Sequence, residues 1–304
     1  MGARVFVEGM VVGLGGLGVV VEFEFLRRSL DPGFELRSNF PHACEPWTTN
    51  LHLRDSTHNA MKLQHIALAG LTPYTRASAL QAALVRRHLA AKAQRSLAPP
   101  PPSIITAQFH PVYTSGRRET VSAAQQAYLR ASGRAEYAAA ARGGQTTFHG
   151  PGQLVAYPIV DLRRHGLSPR CYVHALEGAA MRTCARYGVA TVRTENVGVW
   201  TTPERKIAAV GVHLRRFVSA HGVGLNVSTD LWWFGRIVAC GLADKEATSL
   251  EREGVVGVTV EEVGEVFVEE FASGLDGVDG VVRVSEEEVL AAGVEETSSE
   301  TGGS

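Results

Sequence analysis

Apolar and polar positions alternate along this chain with a period that switches several times between that of a strand and that of a helix. Leu63 to Gly70 reads as a strand. From Thr75 to Lys92 the apolar residues Leu80, Ala83, Leu84 and Ala91 recur at helical spacing. Arg86, Arg87 and Lys92 gather toward the C-terminal end of that helix, where its dipole favours cations. Pro99 to Pro102 forbids helix and predicts an extended connector into a strand over Ile104 to Phe109. Tyr113-Thr114-Ser115-Gly116-Arg117 predicts a closing turn, and Val121 to Ala141 a partly helical, alanine-rich crossing. Leu154 to Val160 is a continuous apolar run, expected of a buried strand.

Downstream, Pro169 stands at a favourable helix start and Gly188 at its end. Leu176, Ala180, Cys184 and Tyr187 form one apolar stripe between them, which makes Cys184 a core residue. Val189 to Arg193, Val197 to Trp200, Lys206 to Leu214 and Val223 to Val227 read as successive strands. Thr259-Val260-Glu261-Glu262 has the form of a capping box. It opens a helix with Val263, Val266, Phe267 and Phe271 on its apolar face. Strands alternating irregularly with a few helices predict an α+β fold, a mixed or antiparallel sheet with flanking helices. The chain is read as an N-terminal extension over 1–60, a body over 61–274 and, where it turns Gly-, Glu- and Ser-rich, an acidic tail over 275–304. The extension is a candidate targeting or poorly ordered segment, and Glu295 to Ser304 has the composition of disorder.

Composition narrows the functional classes. The hydrophobic fraction of 45% over 304 residues is that of a globular core. The most apolar run, Val11 to Val21, is broken by glycines, so no membrane role is expected. Its Gly13-Leu14-Gly15-Gly16-Leu17-Gly18 has a dinucleotide-binding pattern, but the sequence after it reads as strand where that motif requires a helix. Four cysteines lack both zinc spacing and a secreted disulfide framework, which favours a reducing compartment. Residues 1–250 carry 28 Lys and Arg against 16 Asp and Glu, while residues 251–304 carry 2 against 15. A basic body of this kind steers acidic partners. No nucleic-acid module accompanies it, so nucleic acid is not an expected partner.

The candidate chemistry centres on Arg142-Gly143-Gly144-Gln145-Thr146-Thr147-Phe148-His149-Gly150-Pro151-Gly152-Gln153. Glycines at this density let a ligand approach backbone N–H groups. Arg142 is suited to anchoring an anion or a carbonyl, and His149 to orienting a substrate or handling a proton. Cys240, before Gly241 at the end of an apolar run, is placed to present a thiol from a turn; Lys206 opens an otherwise apolar strand, where its amine is partly desolvated. His221 before Gly222 is a weaker candidate, and His213 on an apolar strand face reads as structural. No His, Cys, Asp and Glu cluster has metal spacing, so no metal is expected.

The segment from Arg142 to Gln153 resembles the RGG-x-x-T-x-HGPGQ signature of lipoyl(octanoyl) transferases, which are related to lipoate and biotin protein ligases. The resemblance runs from about Leu63 to Phe271 and takes in Gly198-Val199-Trp200, Lys206 to Val212, His221-Gly222, Leu225-Asn226-Val227, Cys240-Gly241-Leu242 and Thr248-Ser249-Leu250. It implies a biotin/lipoate ligase-like fold, with residues 61–274 as the catalytic acyltransferase domain and Lys206 and Cys240 as a catalytic dyad. The loop Arg142 to His149, together with Ala209, Val210, Gly211, Gly222, Val223 and Gly224, would line an acyl-binding tunnel. The implied reaction moves an octanoyl or lipoyl group from acyl carrier protein, through a thioester on Cys240, to a lysine of lipoyl domains. Implied acceptors are the lipoyl domains of 2-oxoacid dehydrogenase complexes and the glycine cleavage H protein; no cofactor is implied. Alternatives are an ATP-dependent lipoate or biotin ligase, a lipoyl-domain-binding protein without turnover, and a cysteine hydrolase. Eukaryotic forms suggest mitochondria, whereas Glu8, Glu22, Glu24 and Asp31 fit an acidic-poor transit peptide badly and leave a cytoplasmic location open.

Overall fold

The structure, a computed structural model, describes residues 61–94, 97–237 and 245–291. The expectations for residues 1–60, for Cys240 and for Glu295 to Ser304 lie outside these residues. β1 (Met61–Thr72) sends Leu63 to one face and Ile66 and Leu68 to the other, as alternation requires. α1 (Tyr74–Ala93) buries Tyr74, Ala77, Leu80, Gln81, Leu84 and His88, which fall on one helical face. Its Lys92 Nζ ends 2.6 Å from Asp161 Oδ1. The proline connector leads into β2 (Ser103–Phe109).

Where a turn was expected, residues 112–115 form β3 (Val112–Ser115), with all four side chains buried. The partners of β3 are distant in sequence, which is why local signals miss it. Past α2 (Ala123–Leu129), β4 (Glu136–Ala139) pairs with β3 in parallel, and β5 (Thr147–His149) pairs antiparallel, making a small three-stranded sheet. β6 (Gln153–Ile159) is buried along its whole length.

Ser168 caps α3 (Pro169–Arg186), its Oγ accepting from the Cys171 N–H at 3.1 Å, and Leu176, Ala180 and Cys184 are fully buried on one stripe. The strand expected over Val189 to Arg193 is reduced to one bridge between Val192 and Trp200. Arg193 bonds back to Glu177 and His174 of α3, which holds this segment on the helix. β7 (Val199–Thr202), β8 (Arg205–Arg215), β9 (Val218–Asn226) and the short β10 (Glu246–Ala247) follow. The capping box of α4 (Val260–Ala272) forms in both directions: Thr259 Oγ1 accepts from Glu262 N–H at 3.2 Å, and Glu262 Oε2 from Thr259 N–H at 2.8 Å. Beyond Gly274 the chain continues into β11 (Val278–Arg283) and α5 (Glu286–Ala291).

The main sheet has the order β10-β8-β9-β6-β2-β1-β11, with β7 beside β8. It is mixed: β1 is parallel to β2 and β11, while β2, β6, β9 and β8 run antiparallel in turn. α3 and α4 cover one face around Leu176, Phe267 and Phe271; α1 covers the other around Leu80, Leu84 and Phe109. A third cluster, Tyr113, Phe148 and Trp233, lies against the small sheet. Among the described residues no helix is long and apolar enough to cross a membrane.

β11 is an edge strand beside β1, and Leu275, Val278 and Val289 are buried. A chain ending at Gly274 should therefore leave the β1 edge unpaired and the apolar residues beneath it uncovered. The expected outcome is aggregated protein or a sharply lower denaturation midpoint; soluble yield and denaturant titration measure it.

Candidate functional site

The loop between β4 and β5 is arranged around Arg142, whose side chain is buried. One guanidinium nitrogen, Nη1, donates to the carbonyls of Gly143 at 3.0 Å and Gln145 at 2.9 Å. The other, Nη2, donates to the Thr114 carbonyl and, at 2.9 Å, to Thr114 Oγ1. Through these bonds Arg142 organises the site, since its fork ties the loop to β3. Gly143 N–H donates to the Val212 carbonyl at 3.0 Å, which ties the same loop to β8. At the far end, Gly152 has φ +78°, and a Cβ there would stand 2.6 Å from the backbone of Ser228. Only glycine passes that point.

His149 ends β5 and is held by a chain of directed hydrogen bonds. The Thr248 carbonyl accepts from Asn226 Nδ2 at 2.9 Å, which turns Asn226 Oδ1 toward Gln153. Gln153 Nε2 donates to that oxygen at 2.9 Å and to the Phe148 carbonyl at 3.2 Å. Gln153 Oε1 is therefore the atom 2.7 Å from His149 Nδ1, and an amide oxygen only accepts. Nδ1 carries the proton, and Nε2 is the nitrogen with the free lone pair. Burial, reinforced by the charge of Arg142, holds the ring's pKa down at about 4. A ring that stays neutral around pH 7 is suited to orienting a substrate by accepting a hydrogen bond.

Between this loop, β6, β8 and β9 lies a cleft open to solvent. Arg142, Gly144, Gln145, Thr146, Thr147 and His149 line one side. Ala209, Val210 and Gly211 of β8 and Gly222, Val223 and Gly224 of β9 line the other. Of the fourteen residues expected to bind substrate, Gly143 and Phe148 are not on the wall. Phe148 is fully buried behind it, stacked on Trp233 with ring centroids 4.9 Å apart. Lys206 also lines the cleft; it is 8% exposed. Its Nζ donates to the Val197 carbonyl at 2.9 Å and sits 4.4 Å from the centre of the Trp200 ring. Apolar walls and small residues suit an unbranched acyl chain, and the ammonium suits negative charge developing at the chain's polar end. Cys240 lies outside the described residues.

Sequence reasoning ranks His221 low and misses several wall residues. His221 lines the cleft with φ +58°, its ring 5.3 Å from that of Tyr157; burial first, then Arg142, His149 and His213, hold its pKa at about 3. Gln153 and Tyr157 stand within or beside the signature run, so their place in the motif is the available signal. Phe234 and Ile237 reach the cleft from a short 3₁₀ turn that no periodicity marks. His213 is half-buried on β8 away from the cleft wall. Among the described residues no group of three or more His, Cys, Asp or Glu is arranged to hold a metal ion.

The buried imidazoles make stability depend on pH. Both folded-state values, about 4 for His149 and about 3 for His221, lie below the ordinary 6.5. The unfolded chain therefore takes up protons first as pH falls. Their contribution is whole above pH 6.5 and is lost as pH drops through about 4 toward about 3. Denaturation midpoints measured across that window should fall with pH, and His149→Gln should make the fall shallower.

Comparison with known proteins gives the family. The model described as lipoyl protein ligase A/B catalytic domain matches residues 73–272. A probable octanoyltransferase of Schizosaccharomyces pombe is 49% identical over 199 residues, 64% of this chain and 89% of its own length. The mitochondrial octanoyl-[acyl-carrier-protein]:protein N-octanoyltransferase of Homo sapiens is 47% identical over 164 residues, 53% of this chain and 70% of its own. Among solved structures, a putative lipoate protein ligase from T. acidophilum with bound lipoic acid superposes with a TM-score of 0.54 at 15% identity, covering 78% of this chain and 95% of that one. A lipoate-protein ligase A bound with ATP gives 0.55 at 14% identity, covering 78% and 94%. The two structures share the mixed sheet and flanking helices, the lipoate ligase-like fold expected from the sequence. With its signature loop folded against β8 and β9 and its relatives matched over most of their length, this chain belongs to the lipoyl protein ligase A/B catalytic-domain family and, within it, to the octanoyltransferases.

Proposed function

We propose that this protein transfers an octanoyl group from acyl carrier protein to a lysine of lipoyl domains, with Cys240 as the nucleophile and Lys206 as its basic partner. The observation that carries this reading is the Lys206 ammonium in the wall of an apolar cleft formed by the signature loop. The names of the relatives supply the acyl group and the donor. In the first half, the Cys240 thiolate attacks the carrier thioester; the carrier's carbon–sulfur bond breaks, and its thiol leaves with a proton. In the second, the acceptor lysine's neutral amine attacks the new thioester, an amide forms, and Cys240 is released as the thiolate. Lys206 stabilises the thiolate and exchanges the protons, while His149, neutral and with Nε2 as acceptor, orients the reacting groups.

The partners belong to the same proposal: an acyl carrier protein as donor, and lipoyl domains of 2-oxoacid dehydrogenase complexes and the glycine cleavage H protein as acceptors. Mitochondrial placement is supported by relatives from Homo sapiens and Xenopus tropicalis whose names carry it. The catalytic domain is taken to begin at residue 61 and, since β11 completes the sheet, to extend past residue 274.

Mixed with octanoyl-carrier alone, the protein should gain one octanoyl group that hydroxylamine removes, without ATP. Cys240→Ala should abolish this adduct. Cys184→Ala should retain it, because Cys184 is buried and burial pushes its thiol up to about 12. Lys206→Ala should slow adduct formation on the order of 10²–10⁴-fold, with partial recovery at higher pH as more thiolate forms. Mass spectrometry of enzyme and lipoyl domain reads each outcome. Near-normal transfer by Cys240→Ala, or a requirement for nucleotide, would replace this mechanism with that of a ligase.

A further inference from the structure

Glu177 is a carboxylate on α3 that is only 4% exposed, and a charge so placed needs partners. Its Oε2 accepts from Arg193 Nε at 3.2 Å and lies 3.3 Å from His174 Nδ1. Its Oε1 accepts from the Gly198 N–H at 2.9 Å. That N–H belongs to the peptide whose carbonyl, on Val197, accepts from Lys206 Nζ at 2.9 Å. A trans peptide points its N–H and its C=O in opposite directions. One peptide plane is thus held between a buried carboxylate and the lysine ammonium, with its dipole aligned to both.

Neighbouring contacts hold the same turn. Trp200 Nε1 donates to the Asn196 carbonyl at 3.0 Å, and the Trp200 ring lies under the ammonium. Gly198 has φ +128°, and a Cβ there would stand 2.7 Å from the Ala208 carbonyl oxygen and 3.1 Å from Lys206 Cε. Glycine is what lets this peptide approach the lysine.

We infer that Glu177 is a positioning residue: through the Val197–Gly198 peptide it fixes where the Lys206 ammonium stands in the cleft. The inference rests on the reading of Lys206 as the basic partner of the nucleophile. Reach to the Gly198 N–H, rather than charge, separates this role from a merely structural one. Glu177→Gln loses the charge but keeps an oxygen that reaches Gly198 N–H. Glu177→Asp keeps the charge and the arginine pair but draws back from that N–H. Arg193→Ala removes the ion pair and leaves the clamped peptide.

The full-length protein is assayed with octanoyl-carrier and lipoyl domain for kcat and KM. Glu177→Asp should lower kcat about 10- to 100-fold with KM for the carrier little changed, the cost of a misplaced group. Glu177→Gln should recover most of the rate, and Arg193→Ala should lose stability without a matching loss of kcat. Glu177→Asp combined with Lys206→Ala should be no slower than Lys206→Ala alone. The inference is overturned if Glu177→Asp is as fast as the unchanged protein, if Glu177→Gln is the slower of the two, or if the losses in the double variant multiply. Labelling of Lys206 by acetic anhydride, read by mass spectrometry, reports on the clamp without the reaction. It should quicken in Glu177→Asp, and an unchanged rate overturns the inference. If the unchanged protein transfers no octanoyl group, or Lys206→Ala is fully active, the fault lies in the proposed function, and labelling still decides the clamp.

Discussion

A guanidinium taken out of water must find acceptors for its protons, and that requirement shapes the site. The acceptors of Arg142 are the carbonyls of Gly143, Gln145 and Thr114 and the Thr114 hydroxyl, drawn from two elements that are far apart in sequence. Each hydrogen bond to a charged donor contributes on the order of 1.5–3 kcal/mol. Their greater effect is geometric. A rigid planar fork leaves the loop few ways to close, and a lysine would offer no equivalent. With the loop so closed, β5 pairs with β3, and His149 comes to face the cleft.

The positive charge also sets the chemistry around it. Burial opposes the protonation of His149 and His221, and Arg142 lies close enough to act in the same direction. The cleft therefore combines fixed cations with neutral imidazoles. Such an environment favours groups that gain negative charge during reaction, as a carbonyl oxygen does under nucleophilic attack. The hydrogen-bond relay from Thr248 through Asn226 and Gln153 adds direction: it decides which imidazole nitrogen is left to accept.

Much of this was legible in the residues, for physical reasons that differ from place to place. α3 and α4 were readable because caps and apolar stripes are local: Ser168 with Pro169, Thr259 with Glu262. β6 was readable because a strand buried on both faces is apolar throughout. β3 was not, since its residues became a strand only by meeting β4 and β5, and Val189 to Arg193 was lost to the pull of Glu177 on Arg193. In the site, motif residues such as Arg142 and His149 were legible as reactive types, but the use of Arg142 was not. The relation of Glu177 to Lys206 was invisible in spacing, because it passes through a backbone peptide.

The pairing of β1 with β11 bears on how the chain is made. Met61 is opposite Val278, so the first described strand waits for nearly the last before its outer edge is satisfied. Synthesis from the N-terminus delivers β1, β2, β6, β8 and β9 while that edge is still open. Contacts so remote in sequence form slowly, since closing a long loop precedes any gain from the pairing. A chain folded as far as β10 can therefore carry a nearly complete cleft and still expose an adhesive strand. Completion of the fold is timed by the arrival of β11 at that edge.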